Sequence, residues 1–214
     1  MYKRQEEECL RLQYPLNVFP PEVPEFESVT TEAFRTLELA GLQLLRAIAL
    51  YLKLDEHYFD NQVNQGNSIL RAIHYFPLAN PEEFPNGAVR AAAHGDINLI
   101  TLLMGASAEG LQILRQDGKW IPVTALPNQI VVNVGDMLER LTNKKLKSTT
   151  HRVVNPTEKF SGTARYSIPF FMHPISQMRL NCLPSCIDEK NPKSFKDITS
   201  GEFLNQRLQE IGLI

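Results

Sequence analysis

A histidine and a carboxylate stand two residues apart in the segment 90–103, which reads RAAAHGDINLITLL. In a β-strand, residues i and i+2 point to the same face, about 6.6 Å apart along the backbone. If this segment is a strand, His94 and Asp96 direct an imidazole and a carboxylate towards one point, and Gly95 faces away. A second histidine, His151, is available as a third ligand. Two histidines and one carboxylate on one side of a metal ion are typical of non-heme Fe(II) centres for oxygen chemistry.

Arg165 and Ser167 form another pair with i, i+2 spacing, fourteen residues after His151. A guanidinium presents a planar fork of donors, which can bind a carboxylate through two parallel hydrogen bonds. A serine hydroxyl on the same strand face can add a further hydrogen bond to that carboxylate. An Arg-x-Ser pair is common in proteins, so its position after His151 is what makes it informative.

These residues belong to an ordered series of segments between about residues 71 and 174 that resembles the Fe(II)- and 2-oxoglutarate-dependent oxygenases. The resemblance is closest to the isopenicillin N synthase-like family. The segments, in order, are HGD at 94–96, GLQIL at 110–114, GKWIPV at 118–123, VVNVGDMLERLTN at 131–143, STTHRVVNP at 148–156, RYS at 165–167 and IPFFMHP at 168–174. A lone His-x-Asp motif would be a weak signal, whereas the ordered series is specific.

The resemblance implies that His94, Asp96 and His151 bind Fe(II), and that Arg165 and Ser167 bind the distal carboxylate of 2-oxoglutarate. It implies a dioxygenase that uses O2 and converts the cosubstrate 2-oxoglutarate to succinate and CO2. The coupled reaction would be hydroxylation, desaturation or cyclisation of a small organic substrate. No catalytic residue beyond the metal centre is implied.

In the resembling family, a tyrosine that directly precedes a proline, upstream of His-x-Asp, often contacts the cosubstrate. Here Phe76 precedes Pro77, and phenylalanine has no hydroxyl. Tyr75 or His74 could make the contact if the strand register differs by one residue.

Four residues are candidates for substrate contacts. Arg71 and His74 lie on the strand before the metal motif, where Arg71 could equally be a solvated edge residue and His74 a core histidine. Alternation from Arg165 places Phe171 and His173 on the same face, although His173 could simply end the strand before a proline.

Three other functions remain open at this point. The first is a metallohydrolase or lyase that uses the same three ligands, which Arg165 and Ser167 disfavour. The second is an oxidase of the same family that does not use 2-oxoglutarate. The third is a truncated or inactive family member that acts as a binding protein.

The composition indicates one soluble globular domain of 214 residues with 43% hydrophobic and 21% charged residues. A net charge of −2 without a Lys/Arg run argues against nucleic-acid binding, so the expected partner is a small-molecule substrate.

Three cysteines give no disulfide framework, and the charged N-terminus is not a secretory signal. No segment approaches the roughly 20 apolar residues of a membrane span. We therefore expect a cytoplasmic protein, and the oligomeric state stays open.

The segments that must position the site fall into three parts. Residues 1–68 are expected to form a proline-rich arm, a long bracing helix from Thr30 or Thr31 to about Leu54, and a short helix at 55–60. The segment NVFP at 17–20 resembles one that, in the resembling proteins, follows a larger N-terminal region. We therefore expect that this region of the family is missing here. Residues 69–190 are expected to form the oxygenase core, and residues 191–214 a C-terminal helix at about 200–211.

Short strands separated by turns predict the core's mainly β fold, with flanking helices. Eight strands fit a double-stranded β-helix, or jelly roll, which the resemblance also implies. Asp117-Gly118 indicates a tight hairpin between two of them. The predicted strands lie near residues 69–76, 97–103, 111–115, 119–123, 129–134, 146–154, 164–172 and 178–183.

Overall fold

The computed structural model describes residues 17–78, 87–105, 110–124, 126, 128–155 and 162–214. Nine strands, four α-helices and one short 3-10 helix (Pro184–Cys186) occur in this part of the chain. The strands are β1 (Ile69–Leu70), β2 (Ile73–Tyr75), β3 (Val89–His94), β4 (Ile100–Met104), β5 (Leu111–Leu114), β6 (Trp120–Pro122), β7 (Ile130–Val134), β8 (His151–Val154) and β9 (Arg165–Met172). The helices are α1 (Phe26–Tyr51), α2 (Asp60–Val63), α3 (Asp136–Leu141) and α4 (Ser200–Glu210).

The strands form two antiparallel sheets. The five-stranded sheet has the order β1-β9-β4-β7, with β2 also paired to β9, and the four-stranded sheet has the order β3-β8-β5-β6. Side chains from both sheets line one cavity between them. This arrangement confirms the predicted mainly β jelly-roll fold with flanking helices.

Helix α1 packs its apolar side on the five-stranded sheet. Its buried residues recur at steps of three or four, which places them on one face. Phe34 meets Phe170 of β9 edge to face with ring centres 5.1 Å apart, a geometry worth roughly 0.5–1.5 kcal/mol beyond burial. Gly41 allows the close approach, because a Cβ there would lie 2.5 Å from the sulfur of Met172. The helix therefore braces the sheet, as expected.

The ends of the first two helices differ from the sequence prediction. Helix α1 begins at Phe26 rather than at Thr30 or Thr31, and it ends at Tyr51. The Thr30 hydroxyl donates to the Phe26 carbonyl at 2.6 Å, so this threonine is bonded within the helix instead of capping it. The predicted helix at 55–60 is also wrong, because the short helix α2 starts only at Asp60.

Three elements of the core were predicted wrongly. Strand β3 and helix α3 were not predicted, and residues 178–183 form no strand beyond an isolated bridge between Arg179 and Thr199. Met178 and Leu180 are nevertheless buried. An apolar run that packs into the core as an irregular segment has the same composition as a buried strand, which explains this error.

The hairpin and the C-terminal helix agree with the prediction. Gly118 adopts a φ of +81° in the turn between β5 and β6, a conformation that glycine reaches without strain. Helix α4 starts with a capping box, in which Thr199 and Glu202 each bond the other's backbone N–H. Among the helices in the described ranges, none has the length and apolar character that crossing a membrane requires.

Candidate metal centre and cosubstrate site

His94, Asp96 and His151 converge on one point. Each offers a ligand atom, and these atoms all lie within 4.8 Å of one another. His94 ends β3 and His151 begins β8, and the two residues face each other across the antiparallel pair. Asp96 lies in the loop that leads to β4, so the condition under which strand alternation would bring His94 and Asp96 together is not met. The residues meet because two strands and a loop bring them together.

Both histidines present the same ring nitrogen to the centre. Nδ1 of His94 lies 2.6 Å from the Ala92 carbonyl oxygen, and Nδ1 of His151 lies 2.9 Å from the Thr149 carbonyl oxygen. A carbonyl can only accept a hydrogen bond, so each Nδ1 carries the proton. The Nε2 lone pair of each neutral imidazole is then available to a metal ion.

Asp96 is 6% exposed and its two carboxylate oxygens have different surroundings. Oδ2 accepts hydrogen bonds from the Thr101 hydroxyl at 2.6 Å and from Nδ2 of Asn133 at 2.8 Å. Oδ1 lies 3.7 Å from Nε2 of His151. The carboxylate is therefore oriented by β4 and β7 and turns Oδ1 towards the histidines.

Helix α3 holds the backbone of the loop that carries Asp96. The backbone N–H of Asp136 donates to the carbonyl of Asp96 at 2.7 Å, and that of Met137 donates to the carbonyl of Ile97 at 3.1 Å. These N–H groups have no partner inside the helix, so the loop carbonyls satisfy them in place of a side-chain cap. Gly135 permits this contact, because a Cβ there would lie 2.2 Å from the Asn98 carbonyl oxygen.

The donor set fits a divalent transition metal. Two neutral imidazoles and one carboxylate, placed on one side of the centre, are the ligands of non-heme Fe(II) sites that keep positions open for reactants. All three residues also line a cavity of about 220 Å³ between the two sheets. A metal ion held by these residues would therefore lie at the wall of this cavity.

Arg165 and Ser167 line the same cavity from β9. They are 1% and 5% exposed. Tyr75 of β2 pairs with Arg165 across the strands, and the guanidinium carbon lies 5.1 Å from the centre of the tyrosine ring. Burial lowers the pKa of Arg165 below its usual value, and Tyr75 acts in the opposite direction. A buried guanidinium is costly without an anion, so this end of the cavity favours a carboxylate.

The four candidate substrate residues divide into two groups. Arg71 and Phe171 line the cavity. His74 does not, since it is exposed and stacks on Tyr166 at a ring distance of 4.6 Å. His173 is buried after the end of β9, with its backbone N–H bonded to Ser68, and does not line the cavity either. Alternation extended from Arg165 to His173 is wrong because the strand ends at Met172.

The register of β2 decides between Tyr75 and Phe76. Ile73 and Tyr75 point into the cavity, whereas the Phe76 side chain is 72% exposed. Of these two residues, the one at the cavity is therefore Tyr75, which retains a hydroxyl.

Several residues that line the cavity were not predicted as site residues, among them Thr101, Asn133 and Arg90. Thr101 and Asn133 are polar residues inside apolar strands, a pattern that could have indicated a role in orienting a ligand. Arg90 lies on β3, and it was missed together with that strand.

Comparisons with known proteins agree with this geometry. A family model of the 2OG-Fe(II) oxygenase superfamily matches residues 66–174. The chain is 33% identical over 190 residues to the 2-oxoglutarate-Fe(II) type oxidoreductase hxnY of Emericella nidulans, covering 87% of this chain and 52% of that protein. It is 31% identical over 210 residues to kihadalactone A synthase LFS of Citrus sinensis, covering 95% and 61%. The chain thus spans about half to three fifths of these relatives.

Solved structures give the same result. A 2OG-Fe(II) oxygenase family protein of Caulobacter crescentus superimposes with a TM-score of 0.89 at 44% identity, covering 98% of this chain and 67% of that one. A full-length Neurospora crassa protein solved in complex with alpha-KG gives a TM-score of 0.86 at 34% identity, covering 97% and 64%. The chain belongs to the 2OG-Fe(II) oxygenase superfamily.

Proposed function

We propose that the protein is a non-heme Fe(II)- and 2-oxoglutarate-dependent dioxygenase that oxidises a small organic substrate. The observation that carries this proposal is that a His-Asp-His cluster and a buried Arg-x-Ser pair line one cavity. Metal ligands alone would suit many reactions, and a buried arginine alone would suit many ligands. Their presence in one cavity suits a 2-oxo acid that binds the metal at one end and the arginine at the other.

The residues have separate roles in this proposal. Nε2 of His94, Nε2 of His151 and Oδ1 of Asp96 hold Fe(II), while Arg165 and Ser167 bind the distal carboxylate of 2-oxoglutarate. When bound, iron, 2-oxoglutarate and O2 supply the oxidising chemistry, in which succinate and CO2 form as the substrate is hydroxylated, desaturated or cyclised.

Tyr75 positions Arg165 in the same scheme. The guanidinium carbon of Arg165 lies 5.1 Å from the centre of the tyrosine ring. The planar fork of Arg165 is thereby held ready for a bidentate contact, with less rotational freedom to lose when the cosubstrate binds.

The finer assignments are also part of the proposal. The ordered motifs between residues 71 and 174 support an isopenicillin N synthase-like member of the superfamily. Cys182 and Cys186 are free and buried, which supports a reducing compartment such as the cytoplasm.

The test compares the protein with two histidine variants. His151→Ala removes a proposed ligand, and His57→Ala is the matched control, because His57 is an exposed histidine whose side chain bonds Asp60. We expect iron-dependent 2-oxoglutarate binding and succinate release in the parent protein and in the control, and neither in His151→Ala. Iron-independent binding of 2-oxoglutarate, or full succinate release from His151→Ala, would contradict the proposal.

A further inference from the structure

Two arginines besides Arg165 line the cavity. Arg71 follows β1 at the edge of the five-stranded sheet, and Arg90 lies on β3 at the edge of the four-stranded sheet. Nη2 of Arg90 donates to the carbonyl oxygen of Phe76 at 3.0 Å, which joins the two edges. The cavity therefore has cationic groups from both sheets on the side of β2 and β3.

Within the described part of the chain, no acidic side chain pairs with either of these two arginines. Among the residues that the structure describes, neither Arg71 nor Arg90 forms an ion pair with a carboxylate. The hydrogen-bond partner of Arg90 is a neutral carbonyl, and the Tyr75 ring lies 5.6 Å from its guanidinium carbon. Of the described residues lining the cavity, Asp96 is the single acid, and it faces the histidines.

The pKa values of two of the cavity arginines, Arg90 and Arg165, are lowered. Burial lowers the pKa of Arg90, with Tyr75 acting in the opposite direction. Arg90 also contributes to the lowered pKa of Arg165, after burial as the main cause. Arg90 is half-buried and Arg165 is buried, whereas Arg71 is exposed at the rim of the cavity. Cations that are partly removed from water and held near one another attract an anion, and Arg71 adds a solvent-exposed positive charge to this pair.

A site that holds Fe(II) and 2-oxoglutarate would still carry the positive charges of Arg71 and Arg90. If the proposed function holds, the charges of Fe(II) and Arg165 are matched by Asp96 and by the two carboxylates of 2-oxoglutarate. Arg71 and Arg90 then supply two positive charges that neither the cosubstrate nor any carboxylate in the described ranges neutralises.

We infer that Arg71 and Arg90 bind a carboxylate of the substrate, and that the substrate is a small organic acid. This inference rests on the proposed function and names the substrate class of the same site. The remaining wall is largely apolar, so the acid carries a hydrocarbon or aromatic body. The apolar residues of that wall include Leu103, Leu111, Ile113, Val131, Val153 and Phe171.

The test measures binding, not turnover. The protein is loaded with Mn(II) and 2-oxoglutarate without O2, and calorimetry follows three matched pairs of ligands. The pairs are phenylacetate and phenylacetamide, 3-phenylpropanoate and 3-phenylpropanamide, and hexanoate and hexanamide. Each pair keeps the apolar body and changes only the charge. We expect at least one acid to bind about tenfold or more tightly than its amide, as a charged hydrogen bond allows.

Variants locate the preference. In the double variant Arg71→Gln and Arg90→Gln, the acid should lose about tenfold or more in affinity, while the amide changes less than about twofold. Arg115→Gln is the control, because Arg115 is paired with Asp117 on the surface, away from the cavity. Circular dichroism establishes that the variants are folded.

The outcomes separate the two proposals. If the parent protein fails to bind Mn(II) and 2-oxoglutarate, the proposed function itself fails. If both bind but no acid binds better than its amide, or no acid binds at all, the substrate inference is overturned. An acid preference that survives in the double variant would also overturn it, because the anion would then bind elsewhere.

Discussion

Thr101 donates its hydroxyl hydrogen bond to Oδ2 of Asp96 across 2.6 Å. The same hydroxyl oxygen accepts a hydrogen bond from Nδ2 of Asn98 at 3.0 Å. Asn98 is fully buried and also donates to the Ile100 carbonyl. This chain of bonds fixes one oxygen of Asp96 and leaves the other directed towards His151, so the orientation of this candidate ligand depends on a residue outside the His-Asp-His cluster.

Thr101→Val should weaken iron binding without removing a ligand. The valine has nearly the shape of threonine but cannot hold Asp96 or satisfy Asn98. Loss of such a supporting bond typically costs roughly 10- to 100-fold in metal affinity. Anaerobic titration with Fe(II) measures the change. Thr36→Val on the exposed side of α1 is the control, and equal affinities in both variants would show that Thr101 does not orient the carboxylate.

Asp96→Ala should abolish stoichiometric Fe(II) binding. It removes the proposed anionic ligand, and the buried hydroxyl of Thr101 and the half-buried amide of Asn133 lose the carboxylate oxygen to which they donate. Metal content after anaerobic loading and desalting gives the answer, with the exposed Asp197→Ala as the control. Iron retained at the parental level would mean that Asp96 is not a ligand.

Arg165→Lys should weaken 2-oxoglutarate binding and leave iron binding intact. An ammonium cannot reproduce the bidentate contact of a guanidinium, and loss of a charged hydrogen bond costs roughly 1–3 kcal/mol. Calorimetry with the metal-loaded protein measures the affinity, and Arg115→Lys on the surface serves for comparison. An unchanged affinity would place the carboxylate contact at another residue.

Gly135→Ala should destabilise the fold, because the new Cβ would lie 2.2 Å from the backbone oxygen of Asn98. Overpacking of this kind costs roughly 1–3 kcal/mol. Gly162→Ala is the matched control, since a Cβ at Gly162 would have no atom within 4 Å. Urea denaturation of both variants compares their free energies of unfolding. Equal urea midpoints for the two variants would show that the loop near Asn98 moves to accommodate the Cβ without loss of stability.

The sequence indicated the chemically important residues better than it indicated the reason for their position. His94 and Asp96 do meet, but strand alternation is not the cause, because the strand ends at His94. The pairing of β3 with β8 shifts register twice between Val89 and His94. Such irregularities have no simple sequence signature, so a motif can be recognised while its local geometry is misread.

Helix α3 and strand β3 were missed for physical reasons. Helix α3 has only six residues and starts at a glycine without a side-chain cap, so its usual start signal is absent. Strand β3 contains three consecutive alanines, which favour helix over strand when considered alone. Both elements form because of tertiary partners, namely the loop with Asp96 for the helix and β8 for the strand.

The three candidate ligands are attached to both sheets, so a metal ion bound to them would connect the two sheets. His94 and His151 belong to the four-stranded sheet, whereas Asp96 is tied to the other sheet through Thr101 and Asn133. A bound ion would therefore join the two halves of the sandwich at its centre, and chelation would release them.

Thermodynamic linkage then makes folding depend on the metal. A ligand at 100 times its dissociation constant stabilises the native state by about 2.7 kcal/mol, provided that the unfolded chain does not bind it. The melting temperature should rise with the Fe(II) or Mn(II) concentration in the parent protein and stay constant in Asp96→Ala. If the melting temperature of the parent protein does not change with the metal concentration, the ion does not couple the two sheets. Through this coupling, loss of the metal would leave the protein easier to unfold.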